Sequence, residues 1–173
     1  KRGEIQDRNG NVFAKSEKVY NVILDCVAVN GGDEEEQAKL KEQEIDYIEP
    51  TIDALVKTLG LDEAELRSMI TDPSTSGSRY QVLKKGISLE EKQTFEDYTE
   101  IDSEKEYTKT DLARRRCVQG VWFEEDYVRD YPLKTLASNV IGVGSNSGGA
   151  SGLESYYTDV LGGTDGREFG YLD

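Results

Sequence analysis

Acid–base, nucleophilic and metal chemistry draw on a short roster of side chains, and this sequence lacks one of the most useful: it contains no His. That removes Ser-His-Asp and Cys-His nucleophile activation and every imidazole metal ligand. Cys26 and Cys117 are far apart and in no ligand spacing; they read as a pair or as two small buried hydrophobes. Carboxylates number 35. Two of them could serve glycoside hydrolysis, but such abundance marks no particular pair. DEEE at 33–36 and EED at 124–126 lack the spacing of an EF-hand loop and read as solvated faces. The glycine-rich GVGSNSGGASG at 142–152 departs from G-x-G-x-x-G, and no GKS or GKT follows. RRR at 114–116 reads as local charge balance. No cofactor and no metal is expected.

Charge narrows the partners. With 21 Lys and Arg against 35 Asp and Glu, the chain has a net charge of −14. Nucleic acid as a whole-chain ligand is excluded, because phosphate backbones select basic surfaces. No run of 18 apolar residues is present, so no segment reads as a membrane-spanning helix, and none reads as a signal peptide.

The elements that must position any site follow from periodicity. Asn9-Gly10 reads as a type I′ hairpin turn between EIQDR and NVFAK. VYNVILDCVAV at 19–29 reads as a strand, with Val22, Leu24 and Cys26 on one face. A polar segment from residue 31 opens a surface helix. Pro50 fits the first turn of another, with Ile52, Leu55, Val56 and Leu59 at helical spacing and Gly60 ending it. Asp62 with Glu65, and Ser88 with Glu91, are capping signals for two more. YQVLKKGI and residues 116–132 read as strands; residues 99–113 give no clear pattern. Leu133, Leu136, Ala137, Val140 and Ile141 form one apolar stripe after Pro132. Leu153, Tyr156, Tyr157, Val160 and Leu161 form a second after Ser151, with a flexible loop between the two. Strands, helices, strands and helices in that order argue α+β. A hairpin, later strands and C-terminal helices would make one part, residues 1–29 and 116–173, carrying an inserted α/β lobe over 30–115.

Glu154 has two readings: the acidic member of a capping box opened by Ser151, or a carboxylate reached by an Arg from elsewhere. Arg2, Arg8 and Arg129 are the candidates for such a partner.

Three stretches taken together resemble the non-catalytic signatures of class B penicillin-binding proteins, the bacterial D,D-transpeptidases of peptidoglycan. RGEIQDRNGNVFA supplies Arg2, Gly3, Ile5, Asp7, Arg8, Asn9, Gly10 and Ala14. RDYPLKTLASNVIG supplies Arg129, Tyr131 and Pro132, then Leu136-Ala137 and Gly142. GASGLESYYTDVLGGTDG supplies Gly152, Glu154, Leu161, Gly163 and Gly166. The resemblance implies a pedestal, or dimerisation domain, following one membrane helix and preceding the transpeptidase. The three signatures would meet there, with Arg2, Asp7, Arg8, Arg129 and Glu154 in one charged network. S-x-x-K, S-x-N and K-[ST]-G, which the transpeptidase requires, are absent from the chain. The resemblance therefore implies a non-enzymatic scaffold on the extracytoplasmic face of the membrane. Its implied partners are the transpeptidase of the same polypeptide, a SEDS-family glycosyltransferase, divisome or elongasome proteins and a second copy of itself. The rival expectations are a free-standing extracellular adaptor and a carboxylate-dependent hydrolase.

Overall fold

The computed structural model of the chain describes residues 1–145 and 147–163. It is α+β and divides into two compact units, one of residues 1–18 with 127–173, the other of residues 19–126. The sequence-based boundaries, 29/30 and 115/116, lie inside the second unit. Strands β2 (Val12–Leu24) and β4 (Val121–Asp130) each run across a division between units. β2 is the centre of a four-stranded sheet: β1 (Ile5–Gln6), β3 (Gln81–Ile87) and β4 all pair with it, β1 and β3 antiparallel.

The unit of residues 19–126 holds the apolar core. Val22 and Leu24 from β2 and Ile87 from β3 bury against Ile52, Leu55 and Leu59 of α3 (Ile48–Leu59), Leu66 and Ile70 of α4 (Glu63–Thr71), and Phe95 of α5 (Leu89–Thr99). Each such aliphatic side chain contributes about 1.5–3 kcal/mol of transfer free energy. The helices begin where their caps place them. Asp33 with Glu36 and Ser88 with Glu91 form reciprocal capping boxes, and the Asp62 carboxylate accepts from the Glu65 amide at 2.9 Å. Gly60 ends α3 at φ +64°.

Two readings of this unit are corrected. Residues 26–29 are not strand: Asp25 accepts from the Ala28 amide at 2.9 Å and turns Cys26–Val29 into a one-turn helix, α1. An Asp cap outcompetes the β-branched run that follows it. Residues 109–116, where no pattern was legible and a strand was expected from 116, form helix α6 (Lys109–Arg116), opened by the Thr108 hydroxyl. Both Cys carry free thiols, and burial pushes each thiol's pKa up.

The unit of residues 1–18 and 127–173 is built differently. Its hairpin turn is not type I′. The Gly10 amide donates to Asp7 O at 3.1 Å, and only Gly10 of the turn takes positive φ, +84°. That is a type I turn closed by a left-handed glycine, with a bulge between Ile5 and Gln6. Asp7 selects it by accepting from the Asn9 and Asn11 amides and from Asn11 Nδ2, at 2.7 to 2.9 Å. The Asn11 side chain, first among these donors, holds the Asp7 carboxyl below its usual range.

The two continuous amphipathic helices are also corrected. After Pro132 the chain makes successive turns, with Lys134 and Ala137 at positive φ, and only Ser138–Ile141 is helical, as α7. Ile141 is buried, whereas Leu136 and Val140 are largely exposed. The second stripe splits at Tyr157 into α8 (Gly152–Tyr156) and α9 (Thr158–Leu161), and its buried residue is Glu154 rather than an apolar one. Between α7 and α8, the expected flexible loop pairs β5 (Gly144–Ser145) with β6 (Gly148–Gly149).

Helix α2 (Glu34–Glu42) yields a test of local strain. It ends in a Schellman motif: the Ile45 amide donates to Leu40 O at 2.9 Å and the Glu44 amide to Lys41 O. Glu44 occupies the left-handed position at φ +55°. Replacing Glu44 by Gly should relieve about 1 kcal/mol of backbone strain and raise the urea midpoint. A lowered midpoint would show that the Glu44 side chain outweighs the strain.

Candidate functional site

The unit of residues 1–18 and 127–173 has few buried hydrophobics among its described residues, Ala14 and Ile141. Its large buried side chains are Arg2, 2% exposed, and Glu154, fully buried. The site grows from that pair. Arg2 precedes β1, and the Ser16 hydroxyl of β2 clamps its backbone, accepting from Arg2 N at 3.1 Å and donating to Arg2 O at 3.0 Å. Arg2 Nε donates to Glu154 Oε2 at 2.7 Å, and Arg2 Nη2 donates to Glu154 O at 2.6 Å and Thr158 Oγ1 at 3.1 Å.

Arg129, near the end of β4, approaches the other carboxylate oxygen. Its Nε donates to Glu154 Oε1 at 2.8 Å, and its Nη1 donates to Gly3 O at 2.7 Å. Tyr131 completes the carboxylate's surroundings: its hydroxyl lies 3.4 Å from Glu154 Oε1 and accepts from the Gly144 amide at 2.7 Å. One carboxylate thus holds two guanidiniums whose Nε atoms sit on opposite oxygens. These are charge-assisted bonds, shorter and stronger than neutral ones. The three charged side chains are 0–2% exposed, so water screens the pairs little.

Glu154 is not capping α8. The Ser151 side chain makes no cap bond to that helix and instead accepts from the Val143 amide. The Glu154 backbone carbonyl also accepts from the Thr158 hydroxyl at 3.0 Å, at the break between α8 and α9. The glycines around it fit by having no side chain. A Cβ on Gly144 would lie 2.8 Å from Glu154 Oε2, and one on Gly152, which has φ +61°, would lie 2.6 Å from Val140 O. Gly3 donates to Leu161 O at 2.8 Å, tying the first residues to the end of α9.

The structure brings together Arg2, Gly3, Arg129, Tyr131, Gly152 and Glu154. Gly163 lies nearby, where an added Cβ would come 3.2 Å from Lys1 O. Asp7, Arg8, Asn9 and Gly10 are not in the network. They form the exposed hairpin turn, in which Asp7 is occupied by Asn9 and Asn11. Pro132 opens the turns that lead to α7, and Gly166 lies outside the described residues. Sequence reasoning missed Ser16, Thr158 and Gly144. Ser16 was findable as the strand neighbour sharing a face with buried Ala14. Thr158 was findable too: four residues after Glu154, it falls on the same face of any helix that carries both.

The arrangement carries no reactive group. Each carboxylate oxygen of Glu154 is bound by a guanidinium, and no cluster of potential metal ligands occurs among the described residues. Elsewhere, RRR also binds backbone. Arg115 Nη1 donates to Asp97 O and Glu100 O, and Arg114 Nη2 donates to Tyr98 O, at the C-terminal end of α5, where cations suit the helix dipole.

Removing one member should be costly, because the others remain buried and charged. Glu154→Ala should cost about 3–5 kcal/mol in urea unfolding. Arg129→Ala and Arg2→Ala should be strongly non-additive with it. Additive losses, or a loss below about 1 kcal/mol, would mean that the network is incidental to this unit.

The structure is similar to penicillin-binding protein 2X from Streptococcus thermophilus, at 21% identity and TM-score 0.59, over 93% of this chain and 22% of that one. A peptidoglycan synthetase from Bifidobacterium adolescentis matches at 20% identity and TM-score 0.48, over 94% of this chain and 28% of that one. Penicillin-binding protein 2 in its complex with MreC from Helicobacter pylori matches at 21% identity and TM-score 0.48, with the same coverages. The chain spans between a fifth and three-tenths of these chains' length. The first of them shows a shared α+β fold. A family model described as the penicillin-binding protein dimerisation domain matches residues 1–169, and the chain belongs to that family.

Proposed function

We propose that this chain is the non-catalytic pedestal of a class B penicillin-binding protein. It holds a transpeptidase domain of the same polypeptide at a set orientation on the extracytoplasmic face of the membrane. The supporting observation is the buried junction of Arg2, Glu154 and Arg129, which joins the start of the chain, the end of β4 and helix α8 through one carboxylate. A buried network of this kind is better suited to specifying one geometry than to adding net stability. In this reading, residues 1–18 and 127–173 form the membrane-proximal anchor. The unit of residues 19–126 is the head that meets partners, among them a SEDS-family glycosyltransferase, divisome or elongasome proteins and a second copy. The full set of signature residues, from Arg2 to Gly166, acts as the structural motif of that anchor, with the turn around Asp7 and Arg8 as its outer edge. The chain itself performs no bond chemistry; the parent protein does.

The reading is tested in the full-length, membrane-anchored protein by Arg129→Ala. Acylation by a labelled penicillin, per folded molecule, should stay within about twofold of wild type, because the acylating serine lies outside this chain. Peptidoglycan crosslinking in cells should fall well below that. Loss of both in equal proportion, or of neither, would contradict a positioning role.

A further inference from the structure

Strand β4 forms a border of the sheet in the unit of residues 19–126. β3 takes one edge of β2 between Tyr20 and Leu24. β4 takes the other: Asp25 N, just past the end of β2, donates to Gly120 O at 2.7 Å, and Asn21 Nδ2 donates to Asp126 Oδ2 at 3.3 Å. No further strand pairs with β4 among the described residues. A hollow of about 520 Å³ lies alongside its first residues, between them and α5. Such an edge presents backbone N–H and C=O groups as a template for another strand.

The two borders of the sheet are built differently. β3 carries Lys84, Lys85 and a left-handed Gly86 at φ +71°, and its register with β2 shifts twice. Lysines and bulges discourage further pairing. β4 reads VWFEED from Val121 to Asp126, with no Lys, Pro or Gly. Its side chains alternate between the two faces of the sheet. Val121 and Phe123 pack against the core. Trp122 and Glu124 share the other face and both meet Tyr80, the ring of Trp122 at 6.1 Å and the carboxylate of Glu124 through the Tyr80 hydroxyl at 2.7 Å. Tyr80 is half exposed, so that face opens to solvent.

Charge decides what can pair there. The unit contains 13 Lys and Arg against 26 Asp and Glu, a net of −13 of the chain's −14. A second copy brings the same excess to this edge and is repelled, whereas a basic strand is attracted. The alternation of β4 sets the pattern of the incoming strand. Aliphatic side chains would turn toward the hollow, beside Val118 and Val121, and basic ones toward Glu124 on the open face. Arg115, which lines the hollow, has its Nε buried without a hydrogen-bond partner among the described residues, and an added strand brings backbone carbonyl acceptors. We infer that the outer edge of β4 docks an extended segment of a partner protein by strand addition, a segment in which Lys or Arg alternates with aliphatic residues. The inference uses no residue of the other unit, so it stands or falls separately from the pedestal reading.

The probe is a capped nonapeptide of alternating Lys and Val. At saturation it should slow amide exchange within residues 121–126 and leave Gln81–Ile87 unchanged. Replacing its Lys by Glu should abolish binding. The same peptide with every backbone amide N-methylated keeps its charges but cannot donate to β4, and it should not bind either. Glu124→Lys should weaken binding about fivefold, the effect of turning one cross-strand pair repulsive. Retained binding of the methylated peptide would reduce the interaction to charge attraction and overturn the assignment, as would protection away from β4 or no binding at all. The peptide variants leave the protein unchanged, so they decide even if Glu124→Lys fails to fold.

Discussion

The constraint on which the unit of residues 1–18 and 127–173 depends is the double engagement of one buried carboxylate. Glu154 has no solvent with which to share its charge, and each of its oxygens meets a guanidinium Nε. Arg2 and Arg129 are equally buried, so each charge requires the others. An apolar core tolerates small shifts, because dispersion is non-directional and spread over many contacts. A network of short, directed bonds does not. The position of α8 relative to β1 and β4 is therefore defined more sharply than a pair of hydrophobics such as Ala14 and Ile141 could define it.

The cost of that arrangement shows in its surroundings. Arg129 Nη2 is buried with no hydrogen-bond partner among the described residues. Gly144 and Gly152 stand where a Cβ would clash with Glu154 Oε2 and Val140 O, and Gly152 is held at a left-handed φ of +61°. Helix α8 stops at Tyr157, and the Glu154 carbonyl serves Arg2 and the Thr158 hydroxyl. The unit of residues 19–126 follows the opposite economy. Aliphatic and aromatic side chains from two strands and four helices share one core, and most of the chain's negative charge lies on that unit.

Much of the second unit could be read from the sequence. Asp62 and Ser88 cap where their spacing places them, because capping is local and rests on one side chain and two or three amides. Leu55, Leu59, Leu66 and Ile70 are buried where helical periodicity puts them. The unit of residues 1–18 and 127–173 resists the same treatment. Val140 and Val160 carry a helical period and yet are 59% and 79% exposed, because burial there is decided by a long-range ion network that periodicity does not encode. The residue types at that network stand in the signature stretches. Their distances do not, since Arg2 and Glu154 are 152 residues apart. Asp7 shows the reverse error: a charge beside the signature Arg residues is fully explained by its own turn.

The most direct test of the account is amide hydrogen exchange at Gly3, Gly144 and Gly149. These amides donate to Leu161 O, the Tyr131 hydroxyl and the Thr158 hydroxyl, three bonds arranged around Glu154. If the carboxylate holds this unit together cooperatively, the three should share a single opening free energy, and Glu154→Gln should lower all three together. Three unrelated protection values, or protection at Gly3 that survives the substitution, would contradict it.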